Sequence, residues 1–168
     1  MSRLLIVTYN VRRSMFELGV KTFYPHNKFR LRNGSKVAIL PVVTNLGDNI
    51  EFRSKELSRL VPNLVQENNC ETCDLVSFSL SGVDARLALT HFGLNKYVNS
   101  LITVGSPHQG SKLAWLSERQ IFSDRKSEPV SRLLGVGMRP FWEVAPDSMK
   151  NFNRDVKDVE SVNVCLSL

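Results

Sequence analysis

Ser77-Phe78-Ser79-Leu80-Ser81-Gly82 joins a short apolar segment, Asp74 to Ser79, to a helix-forming one, Gly82 to Phe92, and this junction decides the fold. A serine in a strand-to-helix turn has two ordinary uses. Its hydroxyl caps the helix, or it stands on a strained turn as the nucleophile of an elbow. An elbow needs small residues two before and two after the serine, so that strand and helix can approach. Ser77 and Ser81 are small, where glycine is usual.

Outward from this junction, strand-like and helix-like segments alternate. Leu4 to Tyr9 and Lys36 to Val43 are apolar and β-prone, the second following the Asn33-Gly34 turn signal and interrupted by Pro41. Phe23 to Arg32 between them fits a short helix. Asp48 and Glu51 resemble a capping pair, and Ile50, Leu57, Leu60, Val61 and Leu64 form an apolar stripe at helical spacing, with Pro62 expected to kink or end that helix. Gln66 to Thr72 reads as a loop.

After the junction, Val83, Leu87 and His91 share the expected buried side of the Gly82–Phe92 helix, which Gly93 stops. Leu101 to Val104 and Val162 to Leu168 read as further strands. The loosely patterned segment 117–149 between them is a surface excursion. This order predicts a mostly parallel α/β sheet covered on both faces by helices.

At 168 residues and 42% hydrophobic composition, the chain supports one domain, 1–168. Its longest apolar runs, such as Val37 to Val43, fall far short of the roughly 20 residues that span a bilayer, so no transmembrane segment is expected. Leu4 to Val7 is also too short for the apolar core of a secretory signal. The first sixteen residues carry Arg3, Arg12 and Arg13 and no acid. They suit a mitochondrial presequence and a first strand with its loop equally well, which leaves cytoplasmic and mitochondrial locations open.

Three cysteines, of which only Cys70 and Cys73 are close, suggest a reducing compartment. Zinc would want a second ligand pair, and Cys165 offers no matching spacing. A redox Cys-x-x-Cys normally opens a helix, whereas this one leads into a strand. No metal or cofactor is therefore expected. The net charge of +6 would suit nucleic acid or an acidic surface, but the densest basic group, Lys28, Arg30 and Arg32 near Phe23, Tyr24 and Phe29, is explained by one solvated helix face. Nucleic acid is not an expected partner.

Two longer stretches add specificity. Ser79-Leu80-Ser81-Gly82-Val83-Asp84-Ala85-Arg86 and Val98-Asn99-Ser100-Leu101-Ile102-Thr103-Val104-Gly105-Ser106-Pro107-His108-Gln109-Gly110-Ser111 resemble the bacterial and fungal triacylglycerol lipases of the α/β-hydrolase superfamily. The matching stretches there read approximately His-Ser-x-Gly-Gly-Leu-Asp-Ala-Arg and Ser-Leu-x-Thr-Ile-x-Thr-Pro-His-Arg-Gly-Ser. Asn49 to Arg53, Met149, Phe152-Asn153 and Val162 to Leu168 extend the likeness over nearly the whole chain.

The resemblance implies an α/β-hydrolase core that hydrolyses a carboxylic ester of a lipid through a serine acyl-enzyme. Ser79 would be the nucleophile and the Leu80 backbone N–H one oxyanion donor. The second donor would come from the loop after the first strand, where the family has His-Gly and this chain has Tyr9-Asn10 with Val11 next, making Val11 the candidate. Segment 117–149 would correspond to the lid; a plain apolar surface loop explains it equally well.

Departures accompany the matches. Phe78 stands for the family's His, and Ser77 and Ser81 for its glycines. The acid and base of this fold follow later strands, so the C-terminal part of the core is expected to be missing from 1–168. His108 follows the strand next to the elbow strand and is a candidate substitute base, though loop packing also accounts for it. Asp84 and Arg86 are explained by a charge pair or a helix-start carboxylate. Two functions remain open: a lipase or carboxylesterase given in shortened form, and a non-catalytic lipase-fold subunit whose open sheet edge a protein partner covers.

Overall fold

The computed structural model describes residues 4–12, 29–30, 35–45, 48–112, 114 and 143–166. Its strands are β1 (Leu4–Arg12), β2 (Phe29–Arg30), β3 (Lys36–Thr44), β4 (Cys73–Phe78), β5 (Val98–Val104) and β6 (Asn163–Leu166). Its helices are α1 (Ile50–Glu67), α2 (Leu80–His91) and α3 (Pro146–Asp155), with a short 3₁₀ turn at Leu94–Lys96. The sheet order is β2-β3-β1-β4-β5-β6, parallel except for the antiparallel β2–β3 pair. This is the expected mostly parallel α/β core.

Register places Thr8, Ser77 and Thr103 side by side on three adjacent strands. Leu4, Ile6, Leu75 and Leu101 share their face and pack against Leu57, Val61 and Val65 of α1 and Ala85, Ala88 and Leu89 of α2. Each fully buried Leu or Val contributes about 1.5–3 kcal/mol, which fixes both helices on that one face. The opposite face carries Phe78, Ile102 and Val104, all more than a third exposed. Among the described residues, α1 and α2 cover one face of the sheet.

Several boundaries differ from the sequence reading, each for a local reason. β1 runs to Arg12 because its whole length pairs with β3, so Tyr9, Asn10 and Val11 are strand residues and not the start of a loop. Pro41 does not interrupt β3, whose whole length pairs with β1, and among the described residues β2 reaches only Lys36 and Val37 on its other side, the edge position at which a strand proline is tolerated. Phe29 and Arg30 form β2; the rest of the expected Phe23–Arg32 helix lies outside the described residues. Pro62 does not end α1, since Val61 and Val65 on either side of it are buried in the core. The α1 cap is Asn49, whose side chain accepts from the Phe52 N–H at 2.8 Å, while Asp48 accepts from Asn45 N.

The excursion 117–149 lies outside the described residues up to 142. From Glu143 the chain is part of the packed structure: Val144 and Met149 are buried with Val83 and Ala114, and Pro146 begins α3.

Candidate active site

β4 ends at Phe78 and α2 begins at Leu80, so Ser79 alone makes the turn between them. It does so at φ 54°, ψ −130°, a region that a side chain rarely enters. Two backbone hydrogen bonds hold it there: Ser79 N–H to Val104 O at 2.9 Å, and Gly82 N–H to Ser79 O at 3.1 Å. The Ser79 side chain is exposed and makes no capping hydrogen bond to α2. Of the two uses of a serine in such a turn, capping is therefore not the one this geometry serves.

The Leu80 N–H is the first donor of α2, one of those that no intrahelical carbonyl can satisfy, and it adjoins the serine. A developing negative charge beside Ser79 would meet it and the positive end of the helix. Val11 lies in β1, in register with Val43, and the Thr44 hydroxyl donates to its carbonyl at 3.4 Å. Beneath the turn, Ser77 and Ser81 are buried, and the Thr8 and Ser81 hydroxyls lie 3.4 Å apart.

His108 is buried with both ring nitrogens engaged. Nε2 lies 2.9 Å from Thr103 Oγ1, and Nδ1 lies 3.4 Å from the Arg86 guanidinium. Arg86 can only donate, so Nδ1 accepts and the proton sits on Nε2, which donates to Thr103. Burial, with the neighbouring Arg86 charge, pushes the His108 pKa down to about 4. Asn153 Nδ2 donates to its carbonyl at 2.7 Å. This histidine braces the turn after β5. His91, expected on the buried side of α2, is exposed at its last turn, because the buried residues of α2 end at Leu89.

Asp84 and Arg86 do not pair with each other. Arg86 reaches Asp158 at 3.0 Å and Asn153 at 2.9 Å. Asp84 accepts from Arg53 Nε at 3.0 Å and from an Arg53 terminal nitrogen at 2.9 Å, both residues being 2% exposed. Arg53 also donates to Asp48 O and to Glu143 Oε2, and Glu143 Oε1 accepts from the Ile50 N–H. Asn10 Nδ2 completes the set, donating to Asp84 Oδ2 at 2.7 Å.

Burial raises the Asp84 carboxyl above its ordinary value against the opposing pull of Arg53 and Asn10. Burial also pulls Arg53 down, but the two carboxylates together hold it above its ordinary value. The sequence reading missed Arg53, Glu143 and this use of Asn10. Arg53 did carry a signal, since it falls on the Ile50–Leu57–Val61 stripe of α1, where a charge needs a buried partner. Nothing in the sequence pointed to Glu143.

Cys73 is a free thiol, and burial, with smaller contributions from Asp74 and Cys70, pushes it up to about 12. That is opposite to a reactive redox cysteine. Among the described residues no three His, Cys, Asp or Glu gather where they could hold a metal ion, and no helix is long and apolar enough to cross a membrane.

No family model matches the sequence, and no curated protein matches it. Solved structures do. The mature form of Bacillus licheniformis lipase BlEst2 superimposes with a TM-score of 0.73 at 19% identity, over 98% of this chain and 64% of that one. Its propeptide form gives 0.75 at 19% identity, over 98% and 35%. Phospholipase PlaB from Legionella pneumophila gives 0.63 at 12% identity, over 97% and 38%. The chain thus spans less than two thirds of the length of each of these structures. At such identities the likeness is one of fold, and the fold it shows is the α/β-hydrolase core shared with these lipolytic enzymes.

Proposed function

We propose that this chain carries the nucleophile-bearing part of a lipase-like carboxylic ester hydrolase, acting on lipid esters through a serine acyl-enzyme. The observation that carries the reading is the Ser79 backbone at φ 54°, ψ −130°, with an exposed hydroxyl that leaves α2 uncapped. Ser79 Oγ would give up its proton to a general base as it attacks the ester carbonyl carbon, and the carbonyl oxygen would accept from the Leu80 N–H and a second amide at Val11. Collapse, with that proton passed to the departing oxygen, would release the alcohol and leave an acyl-serine. Lipolytic neighbours in fold space support a lipid ester as the substrate class. Three cysteines, of which only Cys70 and Cys73 are close in sequence, support an intracellular, reducing setting.

The test is labelling of the purified chain with a fluorophosphonate probe, comparing wild type with Ser79→Ala. Labelling of Ser79 that vanishes in the variant is expected. Absence of labelling in a demonstrably folded chain would overturn autonomous serine chemistry.

A second reading has its own support. His108, a candidate base in the sequence, has both ring nitrogens engaged, and Phe78, Ile102 and Val104 are each more than a third exposed on one sheet face. These features favour a non-catalytic lipase-fold subunit seated against a protein partner at the β6 edge. That subunit would co-purify as a complex and remain unlabelled.

A further inference from the structure

β1 pairs with β4 only from Leu5 to Thr8, yet it runs four residues further, to Arg12. Among the described residues, its ladder beyond Thr8 is to β3 alone, and no strand stands beside it on the side where the chain turns at Ser79. The Asn10 side chain reaches across that side. Asn10 Nδ2 donates to Asp84 Oδ2 at 2.7 Å, and Asp84 lies on α2 five residues after Ser79.

Asp84 is itself immobilised. Arg53 grips it through three contacts of 2.9–3.1 Å and is held in turn by Asp48 O and Glu143. A carboxylate paired to a guanidinium can only accept, so the Asn10 amide must present its nitrogen, and its buried Oδ1 has no hydrogen-bond partner. The side chain is thus kept for a single donated bond. Aspartate here would set two carboxylates against each other, and leucine would fill the volume without the tie.

We infer that Asn10 is a positioning residue for the site at Ser79: its bond to Asp84 sets the end of β1, and with it the Val11 amide, at a fixed separation from the Leu80 amide. The inference rests on the proposed reading of Ser79. Loss of the bond leaves the nucleophile in place and loosens one side of the oxyanion site.

The experiment compares the full chain with Asn10→Ala and the near-isosteric Asn10→Leu, by site-resolved amide hydrogen exchange and by fluorophosphonate labelling across probe concentrations. Exchange is expected to rise about tenfold at Asn10 to Arg12, with Gly82 to Asp84, Leu75 and Leu101 unchanged. The limiting labelling rate should fall about tenfold at an unchanged half-saturating concentration. Unchanged exchange, or an equal rise at Leu75 and Leu101, would overturn the inference, as would an unchanged limiting rate. A wild-type chain that is not labelled removes the reading of Ser79, and exchange alone then decides whether Asn10 holds the strand end.

Discussion

A Cβ added to Gly82 would lie 2.1 Å from Ser106 Oγ and 3.0 Å from Thr103 Cβ. The first turn of α2 therefore approaches β5 and its following turn at a distance only glycine permits. Elbow packing rests on this residue, three after Ser79, as well as on the small Ser77 and Ser81. Helix propensity alone would make Gly82→Ala stabilising by about 1 kcal/mol, whereas overpacking costs about 1–3 kcal/mol. The clash is with a buried side chain that has little room to move, so the variant should be less stable by about 1–2 kcal/mol in urea unfolding. A more stable Gly82→Ala would show that the turn at Ser106 yields freely.

Arg53 stands between two carboxylates, and removing it should damage the fold more than removing either acid. Arg53→Met leaves Asp84 and Glu143 without their cation, a loss of about 3–5 kcal/mol for an uncompensated buried charge. Glu143→Gln keeps an acceptor for the Ile50 N–H and leaves the Arg53–Asp84 pair intact, so about 1 kcal/mol is expected. Denaturation of the two variants gives the comparison; equal losses would mean that Arg53 does not bridge the acids.

His108 makes stability depend on pH in a defined direction. Its pKa falls from 6.5 to about 4 on folding, so between those values the unfolded chain binds more protons. Its contribution is complete above about pH 6.5 and is lost as pH falls toward about 4, a difference of roughly 3 kcal/mol. His108→Gln cannot titrate. The stability lost by wild type between pH 7 and pH 4.5 should exceed that lost by the variant, and parallel pH profiles would contradict a buried neutral His108.

The alternation of apolar strands and amphipathic helices was legible because burial on a parallel sheet demands it, and the junction at Ser79 was legible from its small neighbours. Strand ends were not, since Pro41 and the Tyr9–Arg12 extension depend on which edge of each strand has a neighbour. The partners of Asp84 were also hidden. Arg86 is near in sequence, but two residues along a helix point to different sides, and Arg53 and Glu143 arrive from α1 and from beyond the excursion. For His108, adjacency to the elbow strand suggested chemistry, and only the positions of Thr103 and Arg86 assign both ring nitrogens.

Ser79 offers a test that does not require activity. A side chain at φ 54°, ψ −130° carries strain of about 1–3 kcal/mol, and glycine adopts that region without it. The greater freedom of glycine in the unfolded chain takes back about 0.5–1 kcal/mol. Ser79→Gly should therefore be more stable than wild type by about 1 kcal/mol, while Ser79→Ala keeps the Cβ and the strain and should stay within about 0.5 kcal/mol of wild type. A capping serine would give the opposite order, because its loss to alanine costs about 1 kcal/mol. If Ser79→Ala proves the less stable of the two by that margin and Ser79→Gly no better than wild type, the hydroxyl is a cap and the nucleophile reading loses its structural basis.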